Sequence, residues 1–288
     1  MDQVSINEVG PRDGLQNIKN ILSVYERYKL IRSLEESGIE FLEIGSFVSD
    51  KAVPPMKNTD KLINKLGNLD NYSVLVPNKK GYEKAKNHKV KEVCTVLCVT
   101  DSMNLKNINL NIEDSLTELK QIFNDSNQNG IKTKCYVSVA FHCPYDGKVE
   151  PSYVQDLVGT LIDFKVDEIV IADTIGAASP KEVRYLLNSL LGVYTETQFS
   201  CHFHDTRALG LANVYASLEA GIRKFDSCIG GLGGCPFAPN SSGNLATEDL
   251  VGMLDMMNIN TGINIDKLIK SRELASQLTK LSLTGRMY

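Results

Sequence analysis

No apolar run in this 288-residue chain approaches the roughly 18 residues of a membrane-spanning helix, so no membrane partner is expected. A basic excess is missing as well. Lys and Arg number 31 against 35 Asp and Glu, a net charge of −4, with no basic half or arm, which argues against nucleic acid. A small anionic ligand stays compatible with that balance, because a few local cations can neutralise it. The seven cysteines (94, 98, 135, 143, 201, 228, 235) form no pair of CxxC motifs, and their odd number offers no disulfide framework. Most lie in apolar, strand-like runs where a thiol acts as a small hydrophobe; Cys235 does not. The N-terminus carries no basic, apolar or arginine-rich leader and enters a strand at once, so a cytoplasmic protein is expected.

What is present is ordinary for a globular protein, with 42% hydrophobic and 23% charged residues. Eight short apolar or β-branched runs alternate with helical periods: Val4 to Val9, Phe41 to Ile44, Tyr72 to Val76, Val93 to Val99, Cys135 to Phe141, Glu168 to Ala172, Phe199 to Phe203 and Lys224 to Ile229. Caps mark the helices. Ser23 with Glu26 makes a capping box ahead of Val24, Tyr28, Ile31 and Leu34, and Ser179, Pro180 and Glu182 open another helix. Leu209 to Ala220 reads as a helix that stops at Gly221. Strands separated by helices need right-handed parallel crossovers, and eight of them at this length most simply close into one α/β domain over 1–288, a (β/α)8 TIM barrel. An open doubly wound sheet is the alternative. The chain after Asn244 reads as additional C-terminal helices packed outside the barrel.

A barrel places its chemistry at the C-terminal ends of its strands. His202 and His204, one residue apart in Ser200 to Asp205, point the same way from an extended strand and can grip one ion. A lone HxH is more often structural, so its company decides. Arg12 and Asp13 follow the first strand, Glu43 ends the second, Asp173 and Thr174 end the sixth, and a Gly-rich segment, Gly230 to Asn244, follows the eighth. Asp13, two imidazoles and the Asn244 amide oxygen would make a mixed oxygen and nitrogen set, which suits Mg²⁺ or Mn²⁺, although zinc binds such ligands too. Arg12 is a candidate oxyanion holder, and Glu43 is placed to orient it or to take a proton. Cys235 rides on the glycine-dense loop, which is neither a Walker loop nor a dinucleotide turn; a thiol carried there can reach over a metal as a proton donor or nucleophile.

Five stretches now carry a resemblance: Asn7 to Asn17 (NEVGPRDGLQN), Phe41 to Val48 (FLEIGSFV), Tyr136 to Gly147 with its CPYDG, Asp173 to Gly176 (DTIG) and Gly230 to Leu250 (GGLGGCPFAPNSSGNLATEDL). Together they resemble the 3-hydroxy-3-methylglutaryl-CoA lyase family across essentially the whole chain. The resemblance implies a metal-dependent TIM-barrel lyase, usually a homodimer, that cleaves hydroxymethylglutaryl-CoA to acetyl-CoA and acetoacetate. It puts metal ligands on Asp13, His202, His204 and Asn244, the catalytic arginine on Arg12 and the loop cysteine on Cys235. Glu8, Glu43, Asp173, Glu248 and Asp249 match acidic residues that support the site, and Gln16 and Lys19 match positions near the acyl-CoA.

Two departures, Arg207 to Leu209 after the His-Asp-Thr triplet and His142 before CPYDG, leave room for a related 3-hydroxy-3-alkylacyl-CoA. Claisen-condensing synthases of the same superfamily, a biotin-dependent carboxyltransferase and a metal-braced scaffold are the other readings. In the lyase reading Asp13 or His202 receives the hydroxyl proton, Arg12 stabilises the enolate oxygen and Cys235 protonates the carbanion. Cys235→Ser is then expected to keep the wild-type unfolding temperature while turnover falls by at least about 100-fold, the lower end of what a positioned acid supplies. Unchanged turnover in a steady-state assay would remove the thiol from that role.

Overall fold

The computed structural model describes residues 3–194, 199–233, 243–283 and 285–287. Eight strands close into a parallel barrel: β1 (Ser5–Glu8), β2 (Phe41–Ser46), β3 (Tyr72–Leu75), β4 (Glu92–Cys98), β5 (Lys132–Ser138), β8 (Glu168–Asp173), β9 (Phe199–Phe203) and β10 (Lys224–Ser227), in the order β1-β10-β9-β8-β5-β4-β3-β2. These are the eight runs read from the sequence. The open doubly wound sheet is thereby excluded, because β1 pairs with both β10 and β2 and leaves no edge.

Helices α1 (Val24–Glu36), α2 (Thr59–Leu66), α3 (Lys79–Asn87), α4 (Asp101–Ile108), α5 (Ile112–Asn129), α6 (Pro151–Asp163), α7 (Pro180–Leu191) and α8 (Gly210–Ala220) form the crossovers. Both expected capping boxes are made: Ser23 and Glu26 open α1, and Ser179 and Glu182 open α7. The C-terminal helices α9 (Thr247–Met256) and α10 (Ile265–Thr279) follow, and α10 packs on α1 through Ser33 and Ser271, whose hydroxyls lie 2.7 Å apart.

Alternation along the strands sorts the side chains. On β9, Phe199, Cys201 and Phe203 turn outward into the helix-facing core, whereas Ser200 and His202 turn inward. On β5, Cys135 and Val137 are outward, and Lys134, Tyr136 and Ser138 inward. The outward cysteines are the small hydrophobes the sequence suggested: Cys135 and Cys201 are fully buried, and burial pushes each thiol up to about 12. All six described cysteines are free. Among the described residues, no helix is long and apolar enough to cross a membrane.

Two local features were not legible in the sequence. A short antiparallel hairpin, β6 (His142–Cys143) and β7 (Gly147–Lys148), fills the CPYDG stretch after β5. Residues Gly10–Gly14 wind into a single π-helical turn after β1, where the Val9 carbonyl accepts from both Asp13 N (2.7 Å) and Gly14 N (3.3 Å). Wider than an α-turn, it carries Arg12 and Asp13 at the barrel mouth.

Candidate active site

Arg12 is buried, with a side chain only 8% exposed, and its charge is met on two sides. Its Nε donates to Glu43 Oε1 at 2.5 Å and its Nη2 to Glu43 Oε2 at 3.2 Å, a fork that holds the guanidinium in one plane. Nη1 donates to Asp13 Oδ1 at 2.6 Å. Glu43, fully buried at the end of β2, also accepts from the Tyr136 hydroxyl at 2.8 Å, and Arg12 stands 5.8 Å from the Tyr136 ring centre. Glu43 is thus saturated by donors and acts on Arg12's orientation. Of the five guanidinium donors, two have no partner among the described residues.

Asp13, His202 and His204 each bring a potential ligand atom within 4.8 Å of the others, and all three are buried. Asn244 joins them through backbone pairing. An extended segment beginning at Gly243 lies along the end of β9: Asp205 N donates to Gly243 O, Leu245 N donates to Phe203 O, and His204 and Asn244 form an antiparallel bridge. The Asn244 amide donates to Asp13 Oδ2 at 2.5 Å and to the Leu232 carbonyl at 3.1 Å, while its Oδ1 is buried without a partner. His204 Nδ1 is likewise buried and unpartnered. Two orphaned polar atoms beside a carboxylate are costly unless a partner meets them, and a cation satisfies the Asn244 oxygen and an unprotonated ring nitrogen alike. The donor set fits an oxygen- and nitrogen-ligated divalent ion, which Asp13, His202, His204 and Asn244 would hold.

The ends of the Gly-rich loop rest on buried carboxylates. Glu8 Oε1 accepts from Gly10 N at 2.8 Å and Ile229 N at 2.9 Å, and its Oε2 accepts from Thr247 Oγ1 at 2.6 Å. Glu248 Oε2 accepts from Gly230 N at 2.9 Å, and Asp249 Oδ1 from Arg286 N and Met287 N at 2.6 and 2.8 Å. Gly243 is obligatory for a steric reason: a Cβ there would stand 2.2 Å from the Gly233 carbonyl oxygen. Residues 234–242 lie outside the described residues, and Gly234 and Cys235 with them.

Charge within the site follows from burial and neighbours. Burial opposes the charge on Arg12, but Glu43 and Asp13 hold it protonated above its ordinary range. Burial would raise Asp13, yet Arg12, His202 and His204 bring it down to about 2. Burial works against a protonated His202, but the contact with Asp226 raises its basicity; burial, with the nearby His202, pushes His204 down to about 4. Burial lifts Glu8 from 4.5 to about 7.

Residues 3–275 match the family model HMGL-like. The chain is 40% identical over 271 residues to hydroxymethylglutaryl-CoA lyase YngG of Bacillus subtilis, covering 93% of this chain and 91% of that protein. It is 41% identical to the mitochondrial hydroxymethylglutaryl-CoA lyase of Bos taurus over 93% of this chain and 83% of that protein. Among solved structures, an HMG-CoA lyase from Acinetobacter baumannii in complex with coenzyme A and 3-methylmalate superposes with a TM-score of 0.94 at 34% identity, covering 99% of this chain and 94% of the other. The chain belongs to the HMGL-like family.

A cavity of about 260 Å³ opens at the mouth of this HMGL-like barrel, lined by Arg12, Asp13, Gln16, Tyr136, His202 and His204 among others. Five of these six were candidates from the sequence. Gln16 also donates to Asp13 Oδ1 at 2.9 Å, and Lys19 is exposed and does not line the cavity. Asp173 does not line it either: it is 1% exposed, and its two oxygens accept from Ala177 N and Ala178 N at 3.0 Å, so it shapes the turn after β8. Sequence reasoning missed Tyr136 and Asp226, whose Oδ2 lies 3.1 Å from His202 Nδ1. The signal for both was alternation, which puts them on inward positions. The two departures stand apart from the cavity: His142 Nε2 meets Glu182 Oε1 at 3.2 Å, and Arg207 donates to the Ala177 carbonyl at 3.4 Å.

Glu8 generates a pH test. Between 4.5 and about 7 the folded chain holds a proton that the unfolded chain has lost. Its contribution to stability is therefore fully present below 4.5 and is lost as pH rises through about 7. Urea denaturation of metal-free protein should show stability falling from about pH 5 to about pH 8, and Glu8→Gln, neutral throughout, should show a shallower fall. Equal slopes would contradict the raised carboxyl.

Proposed function

We propose that this chain is a divalent-metal-dependent lyase that cleaves 3-hydroxy-3-methylglutaryl-CoA into acetyl-CoA and acetoacetate. The observation that carries the reading is a buried guanidinium, Arg12, on the cavity wall beside the buried Asp13, His202 and His204 cluster. In this retro-Claisen cleavage the tertiary hydroxyl loses its proton, the C2–C3 bond breaks, and the electron pair passes to the thioester as an enolate. A divalent cation, when bound, supplies Lewis-acid charge that favours the deprotonated hydroxyl. Mg²⁺ or Mn²⁺ suits Asp13, His202, His204 and Asn244.

The chain's own residues supply the rest. Arg12, clamped by Glu43 and Asp13, turns its two remaining donors toward the enolate oxygen. The two candidate proton acceptors, Asp13 and His202, both stand on the cavity wall. Nδ1 of His202 faces Asp226, so Nε2 is the atom it offers to the cation, and with that nitrogen ligating the hydroxyl proton goes to the Asp13 carboxylate. Cys235 gives the proton to C2, which completes acetyl-CoA and leaves a thiolate to be reprotonated. Glu43 orients Arg12 and Asp173 holds the turn after β8; Glu8 and Glu248 hold the ends of the loop, Asp249 holds the backbone of Arg286 and Met287, and Gln16 and Lys19 match family positions near the acyl-CoA. The reading extends to one catalytic unit over 1–288, a cytoplasmic homodimer, and products that fit leucine catabolism or ketone body formation. Resemblance supports the dimer and the products.

Because neither departure from the family pattern lines the cavity, the methylglutaryl group is the acyl group of choice over a larger alkyl chain. Purified protein with Mg²⁺ and hydroxymethylglutaryl-CoA is expected to release acetyl-CoA and acetoacetate in equal amounts; no acetoacetate would overturn the assignment. Arg12→Gln should lower kcat by about 100- to 1000-fold, the loss typical of one oxyanion donor, and a kcat near wild type would remove Arg12 from that role.

A further inference from the structure

One residue outside the set above engages the site from below. Asn7 of β1, Asp226 of β10 and His202 of β9 are register partners across three adjacent parallel strands, so they form a row on the barrel's inner face. The row is hydrogen-bonded in series. Asn7 Nδ2 donates to Asp226 Oδ1 at 2.8 Å, and Asp226 Oδ2 lies 3.1 Å from His202 Nδ1. Each is buried, at 8%, 3% and 7% exposure. Asn7 and Asp226 line a cavity of about 320 Å³ at the base of the barrel, whereas His202 lines the cavity at the mouth. The Asp226–His202 contact therefore spans the layer that separates the two.

A carboxylate only accepts, so a ring nitrogen facing it must carry the proton. We propose that Asp226 is a positioning residue: it fixes the tautomer and ring plane of His202, with Nδ1–H toward the base and Nε2 toward the mouth, and Asn7 locks the carboxylate in place. The inference rests on the reading of His202 as a site residue. Asp226 does not line the mouth cavity, and its oxygens meet Asn7 and the His202 imidazole, through which it reaches the site. The general chemistry is that of outer carboxylates that orient metal-ligating histidines. An asparagine at 226 has an N–H to offer, and with that donor facing Nδ1 the proton moves to Nε2, where it blocks ligation through that atom.

The experiment has two arms. In ¹⁵N-histidine-labelled, Mg²⁺-loaded protein, which has only four histidines to assign, proton–nitrogen correlation spectra of His202 should show a protonated Nδ1 and an unprotonated Nε2. Asp226→Asn should move the proton to Nε2 and weaken Mn²⁺ binding by about 10- to 100-fold, the usual loss for an outer-shell partner; Asp226→Glu should restore the tautomer and part of the affinity. A wild-type proton on Nε2, or wild-type Mn²⁺ affinity in Asp226→Asn, overturns the proposal. Should that variant fail to fold, the wild-type spectrum decides. Neither arm uses hydroxymethylglutaryl-CoA, so a failure to cleave it overturns the lyase reading alone, and full cleavage with the wrong tautomer overturns the role of Asp226 alone.

Discussion

The site depends on a buried cation that cannot stand alone. An arginine sequestered at the barrel mouth costs several kcal/mol unless opposite charge and hydrogen bonds meet it, and Arg12 finds both in Glu43 and Asp13. From that pairing the arrangement spreads outward. Glu43 is pinned in turn by Tyr136 from β5, and Asp13 by Gln16 and by Asn244. Asn244 is pinned by its bridge to His204 at the end of β9. Residues from the turn after β1, from β2 and β5, from the end of β9 and from the segment before α9 thus share one network, and the guanidinium keeps two donors without a partner among the described residues.

The barrel supplies this network with rigid attachment. His202 stands on a strand flanked by two others, so its backbone is fixed by ladders on both sides. The glycine-rich segment instead leaves the barrel through Ile229 and Gly230, and returns through Gly243 and Thr247. Its backbone amides and the Thr247 hydroxyl are anchored by Glu8 and Glu248, carboxylates that form no cavity wall. The supporting acids secure where the thiol loop begins and ends, and the chemistry is left to residues facing the mouth.

Much of this was legible in the residues. Eight apolar runs with capped helices between them predicted the barrel because each run is a strand buried on both faces, and Ser23 and Ser179 marked helix starts by chemistry that works locally. His202 and His204 were legible because period two is a property of any strand. The less legible parts depend on tertiary register. Nothing near Asp226 in sequence says that it opposes His202, since that follows from the stagger of β10 against β9. Tyr136 reads as a core aromatic until its hydroxyl is seen to meet Glu43, 93 residues away. The π-helical turn escaped because one extra residue in a turn leaves no period to detect. Asp173 was legible as a polar strand end, but that it accepts from two backbone amides of the following turn depends on where those amides point.

In the proposed lyase, Asp13, His202, His204 and Asn244 gather around one divalent cation at the barrel mouth. Electron spin-echo spectroscopy of the Mn²⁺-loaded protein tests it most directly, because nitrogen modulation reports imidazoles bound to the ion. The account predicts modulation from two imidazole nitrogens, reduced to one in His204→Ala. Mn²⁺ bound with no imidazole modulation, or the same spectrum in that variant, would contradict it.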